Sequence, residues 1–177
     1  FFDPNNPDLA IGEVVTYRLV VTVGEGTATL VVADQLPAGL VPETARVAAV
    51  GSALPPGLDG VAGEINGQAV RFDFGTVVNT GDNDPANNTI TIEVTARVAD
   101  VAANQAGTLL TNGATATVTA PTSPGNPGGT ITVGDSTGAD VVTPDLVIDK
   151  VADRAFVALG DTVTYTITLV HAADSTA

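Results

Sequence analysis

Three groups of residues have the types that chemistry requires. The densest is Asp82, Asn83, Asp84, Asn87 and Asn88, packed into Gly81-Asp82-Asn83-Asp84-Pro85-Ala86-Asn87-Asn88 just ahead of an alternating apolar segment. Calcium takes about six to eight oxygen ligands, and a short Asp/Asn loop offers several, so calcium is the cofactor to expect here. The competing reading is a solvated loop whose Asx side chains close their own turns, and the spacing is not that of an EF-hand. The second group is polar residues on inward-reading faces. Alternation through Leu110, Asn112, Ala114, Ala116 and Val118 turns Asn112 toward a core, and Leu146, Ile148 and Lys150 do the same for the only lysine. A buried lysine is costly unless it is neutralised or paired. The plainer alternatives are that Asn112 hydrogen-bonds backbone and that Lys150 snorkels out at a strand end.

The third group, a catalytic one, is nearly empty. His171 is the single histidine, there is no cysteine, and no nucleophile motif surrounds the histidine. A Ser-His-Asp arrangement and a phosphate-cradling glycine loop are both missing from the pattern, so no enzyme is expected. The sequon Asn87-Asn88-Thr89 reads as a chance match, and Thr115, Thr117 and Thr119 read as ordinary exposed strand positions.

The elements that position these residues are strands. Hydrophobic residues make up 44% of the 177-residue chain and aromatics only 4%, with Val, Ala, Leu and Ile interleaved with Thr. Period-two alternation dominates, and no amphipathic helix stands out. Val15, Tyr17, Leu19, Val21 and Val23 share one face of 13–23, and Ile90, Ile92, Val94, Ala96 and Val98 share one face of 89–99. Shorter strands are expected at 27–33, 44–50, 61–65, 68–74, 108–119, 130–133 and 139–143. Asn66-Gly67 should form a type I′ hairpin turn. Loops are marked by Leu36-Pro37-Ala38-Gly39, Leu54-Pro55-Pro56-Gly57 and the Gly/Pro-rich run 123–129. Short strands punctuated this way indicate an all-β antiparallel sandwich. Both tyrosines read inward, and the five phenylalanines fall at the start or near turns.

Charge narrows the partners. Twenty acidic residues against six basic ones give a net charge of -14, which repels phosphate backbones and anionic membranes. Nucleic acid is excluded as a partner, and no apolar run reaches the ~20 residues a membrane-spanning helix needs. The absence of cysteine and Met and the opening at Phe1 read as a processed piece of a longer extracellular protein.

The most informative feature is an internal repeat. Ala10-Ile11-Gly12-Glu13-Val14-Val15-Thr16-Tyr17 returns 148 residues later as Ala158-Leu159-Gly160-Asp161-Thr162-Val163-Thr164-Tyr165. The chain therefore reads as one repeat over 1–143, its first strand lying upstream, and the opening strands of the next over 144–177. Those last strands lack a core of their own and should dock on a neighbouring module.

Pro144-Asp145-Leu146-Val147-Ile148-Asp149-Lys150 followed by Gly160-Asp161-Thr162-Val163-Thr164-Tyr165 resembles the start of the surface repeat known as domain of unknown function eleven. Val32-Ala33-Asp34-Gln35-Leu36-Pro37-Ala38-Gly39-Leu40 resembles its strand-end motif, and Thr111-Asn112-Gly113-Ala114 its late Asn-x-Ala strand. The resemblance implies Ig-like sandwiches strung in tandem on surface proteins, adhesins and fimbrial subunits, some with an internal Lys-Asn isopeptide bond. Lys150, Asn112 and Asp34 would then be nucleophile, acceptor and acid, with Lys150 and Asn112 in different repeats. One departure is that Phe2 stands 148 residues before Lys150. The resulting expectation is a structural module of a secreted bacterial surface or filament protein, partnered by neighbouring repeats or copies of itself. The alternative is an adhesin domain whose loops bind a glycan or protein.

Overall fold

The computed structural model describes residues 8–122, 127–142 and 146–171. Phe1 and Phe2, the first part of the Gly/Pro-rich loop and the Pro144-Asp145 start of the second copy lie outside the described residues. Among the described residues eleven strands run in chain order: β1 (Asp8–Ala10), β2 (Val14–Thr22), β3 (Gly26–Gln35), β4 (Leu40–Val50), β5 (Glu64–Asn66), β6 (Ala69–Asn79), β7 (Thr89–Val98), β8 (Leu109–Ala120), β9 (Gly129–Val142), β10 (Leu146–Ala152) and β11 (Tyr165–His171). The only helical pieces among the described residues are two 3-10 turns, Pro56–Leu58 and Pro85–Asn87.

Alternation becomes architecture because each strand must bury one face. Strands order as β1-β9-β8-β3-β6-β5 in a six-stranded sheet and as β2-β7-β4 in a three-stranded sheet. Neighbours are antiparallel except β1 and β9, which run parallel. The two sheets share one core. β7 supplies Ile90, Ile92, Val94, Ala96 and Val98, and β3 and β6 supply Leu30, Val32, Val70, Phe72 and Val77. This is the all-β, Ig-like sandwich that the alternation and the repeat resemblance implied.

Several elements differ from the sequence reading. The segments expected at 130–133 and 139–143 are one continuous strand, because β9 pairs with β8 along its length from Leu109↔Asp140 to Ala120↔Gly129. Cross-strand hydrogen bonds carry it through Gly134 and Gly138, where local propensity is weak. The hairpin turn is displaced by one residue: Asn66 pairs with Ala69, so Gly67 and Gln68 are central, and of these two only Gly67 has positive φ (60°). A single positive φ at the first central position fits a type II′ turn rather than type I′. Phe72 is not near a turn but in the core, its ring stacked on Phe74 at 5.8 Å.

β2 is an edge strand. Its inward face is only partly covered: Tyr17 and Val23 are buried, whereas Val15, Leu19 and Val21 are half-buried. β10 and β11 form a separate two-stranded sheet, and Ile148, Val151, Tyr165, Ile167 and Leu169 are all exposed on it. The repeat is visible as local structure. Glu13 N–H donates to Ala10 O at 3.1 Å, and Ala10 N–H donates to Glu13 Oε2 at 2.6 Å. In the second copy Asp161 N–H donates to Ala158 O at 3.0 Å and Ala158 N–H to Asp161 Oδ2 at 2.8 Å. Gly12 and Gly160 turn both loops with φ of 90° and 94°, which glycine adopts without a Cβ penalty.

Candidate functional site

Alternation along β3 places Leu30, Val32 and Asp34 on the inner face, so the carboxylate is carried into the sandwich by the same pattern that buries its apolar neighbours. Asp34 stands opposite Ala114 of β8, and Asn112 lies two residues along β8 on the same face. The two polar side chains are thus diagonal neighbours. Tyr17 enters from β2 in the opposing sheet. Asp34, Asn112 and Tyr17 are 2%, 4% and 7% exposed.

The oxygens of this buried group are unpartnered. Both carboxylate oxygens of Asp34, Asn112 Oδ1 and the Tyr17 hydroxyl have no hydrogen-bond partner within the protein. Burial raises the Asp34 pKa to about 6, and the neighbouring Asn112 carboxamide only partly offsets this, falling short of hydrogen-bond geometry. Burial also pushes the Tyr17 phenol up, and the Asp34 charge adds to it. A lysine ammonium, with three donors and a positive charge, is the side chain that would satisfy these oxygens together.

A cavity of about 430 Å³ leads to the group between β2 and the β8–β9 face, lined by Tyr17, Leu19, Val21, Asn112, Ala116 and Val133 among others. Lys150 is not part of the group. It lies on β10, with its ammonium 4.4 Å from the centroid of the Tyr165 ring. Tyr165 is the repeat counterpart of Tyr17. Alternation marks Asn112 and the family resemblance marks Asp34, whereas Tyr17 is marked in the sequence only by its recurrence at 165.

The acidic loop is organised by its own turns. Asp82 accepts hydrogen bonds from Asp84 N–H at 3.0 Å and from the Asn87 carboxamide at 2.7 Å, which hold its pKa low, the Asn87 bond first. Asp84 accepts from Ala86 N–H and caps the 3-10 turn, Glu25 accepts from Asn83 N–H at 2.6 Å, and Asn88 is buried. Asn83 has a positive φ of 58°, a conformation Asn tolerates better than most residues. Among the described residues no three His, Cys, Asp or Glu side chains converge as a metal group. His171 is the last residue of β11.

No known family profile matches the chain, and no curated protein sequence matches it. Solved structures do. BcpA, the major pilin subunit of Bacillus cereus, superposes with a TM-score of 0.51 at 12% identity, over 94% of this chain and 51% of that one. The T6 backbone pilin of Streptococcus pyogenes serotype M6 gives 0.46 at 15% identity, over 84% of this chain and 35% of that one. The likeness to BcpA is one of fold, and this chain spans about half of its length.

The Asp34 environment has a measurable consequence. Its folded pKa lies above the ordinary carboxylate value, so the native state holds a proton that the unfolded state releases first. That contribution to stability is complete below about pH 4 and is lost as pH rises toward about 6. Asp34→Asn should therefore be more stable than the parent chain at pH 7, with the difference shrinking as pH falls to 4. Denaturant midpoints across this range test it. A parent chain that gains stability relative to Asp34→Asn between pH 4 and 6 would contradict the assignment.

Proposed function

We propose that the chain is a structural repeat of a secreted bacterial surface filament, non-enzymatic and partnered by neighbouring repeats or by copies of itself. The observation that carries this reading is the repeated turn at residues 10–13 and 158–161, built with the same hydrogen bonds in both places. A chain that begins its fold again after 148 residues is built to be strung in series. The pilin-like sandwich supports the same reading. Proteins holding one, two and three successive repeats should lengthen by a constant increment in small-angle scattering. A maximum dimension that grows as for a compact globule would contradict a serial filament module.

The buried group supports a covalent clamp within this reading. The neutral Lys150 amine would attack Cγ of the Asn equivalent to Asn112 in its own repeat. The new C–N bond replaces the C–NH2 bond, and ammonia leaves with the proton balance closed by the carboxyl equivalent to Asp34. A desolvated Asp that keeps its proton to about pH 6 suits that acid role. A chain extended by one whole downstream repeat should weigh one ammonia less than its sequence mass, and Lys150→Ala should restore the full mass. The native chain at full mass would refute the clamp.

Calcium at the loop 82–88 is a further part of the proposal, supported by the Asp and Asn side chains of Asp82, Asn83, Asp84, Asn87 and Asn88 carried on one short loop. Bound ion would replace the internal Asn87–Asp82 bond and relieve the repulsion of a chain at -14. Millimolar calcium should raise the melting temperature over a chelator control. Superimposable melting curves would remove calcium from the account.

A further inference from the structure

We infer that the free edge of β2, with the cavity beneath it, is an acceptor groove for strand β10 of a second copy of this chain, entering in the register that sets Lys150 opposite Leu19. This rests on the filament reading above and specifies its contact for a chain whose Lys150 is not linked within its own repeat.

The argument begins with β11, the repeat counterpart of β2. β10 pairs with β11 in the register Ile148↔Leu169, Lys150↔Ile167 and Ala152↔Tyr165. Subtracting the repeat gives Ile148 opposite Val21, Lys150 opposite Leu19 and Ala152 opposite Tyr17. The two strands share the tyrosine and the apolar inward positions, Tyr17, Leu19 and Val21 against Tyr165, Ile167 and Leu169. What suits β11 therefore suits β2.

The edges correspond as well. In an antiparallel pair, alternate residues point their N–H and C=O groups to the same side. Val23 N–H donates to Asn88 O, so Val15, Tyr17, Leu19 and Val21 bond toward β7 and Thr16, Arg18, Val20 and Thr22 face outward. On β11, Asp153 N–H donates to Thr164 O, so Thr164, Thr166, Thr168 and Val170 are the residues that face β10. These are the counterparts of β2's outward set. The edge that β10 occupies on β11 is the edge left unpaired on β2 among the described residues, so β10 would exchange β11 of its own chain for β2 of the second copy.

The floor of the groove fits the incoming side chains. The six-stranded sheet extends past β2, leaving Ile131 and Val133 of β9 on the inner face yet 67% and 59% exposed. Ile148 would cover this apolar strip. Lys150 rests over the ring of Tyr165 in the hairpin, and the same placement over Tyr17 would bring its ammonium to the unpartnered oxygens of Asp34 and Asn112. On the outer face Asp149 would fall diagonally beside Arg18, which belongs to none of the ion pairs among the described residues. Donor strand and acceptor groove are different patches of one chain, so the contact is head-to-tail and propagates rather than closing a dimer. The second copy is the occupant to name because position 2, the upstream counterpart of Lys150, is phenylalanine.

The chain contains no cysteine, so an introduced pair reports on register without background. Lys150 and Leu19 would form a non-hydrogen-bonded pair, the closer of the two antiparallel geometries. Leu19→Cys chains mixed with Lys150→Cys chains under mild oxidation should give a one-to-one cross-linked dimer. Val20→Cys, one residue out of register and on the other face, should give on the order of tenfold less. Sedimentation of the parent chain and of Ile148→Asp, at ionic strength high enough to screen the like charges, runs beside it, and Ile148→Asp should abolish self-association. Self-association in which Leu19→Cys cross-links no better than Val20→Cys would overturn the groove and leave the filament reading standing. A parent chain that does not associate, together with no cross-link between the Leu19→Cys and Lys150→Cys chains, would overturn the groove, and failure of the serial repeats to lengthen would separately end the filament reading.

Discussion

The unequal width of the two sheets is the constraint on which the rest depends. Three strands face six, so β2 ends its sheet while β8 and β9 continue beyond it. Several unusual features lie along that step. Leu19 and Val21 read as core residues and are only half-buried, Ile131 and Val133 are on the inner face and exposed, and the cavity opens between them. Apolar area left open in this way has a driving force to be covered of about 25 cal/mol per Å². The hairpin of β10 and β11 has the complementary fault, two good strands with no core beneath them.

Electrostatics reinforces the same step. Asp34 would be a costly residue in a finished core, because its carboxylate has neither a hydrogen bond nor a cation. Beside an ammonium it becomes half of a buried pair, stabilising only if the remaining donors and acceptors are also met. Tyr17 and Asn112 supply those acceptors. The polar group and the apolar strip thus ask for one kind of strand, a short apolar one with a lysine at its centre.

Much of this was legible in the sequence, for physical reasons that differ by element. β7 was readable because it is the central strand of its sheet and both its periodicity and its burial are complete. Asn112 was readable as inward because the two-residue period leaves no choice of face, whereas Asp34 entered through the family resemblance. β9 was not readable as one strand, since its continuity comes from β8 and not from its own Gly-interrupted residues. The hairpin turn slipped by one residue because Asn-Gly and Gly-Gln both satisfy a two-residue turn and only the flanking register decides. The role of Tyr17 was hidden because alternation reports which face a residue takes and says nothing of what faces it across the sandwich.

Amide exchange along β2 measures the central claim most directly. In the dispersed chain Tyr17, Leu19 and Val21 should be protected by β7, whereas Thr16, Arg18, Val20 and Thr22 should exchange rapidly. On assembly the second set should become protected while the first changes little, because a strand has paired with the outward edge. Assembled material in which Thr16, Arg18, Val20 and Thr22 still exchange as they do in the dispersed chain would contradict the account.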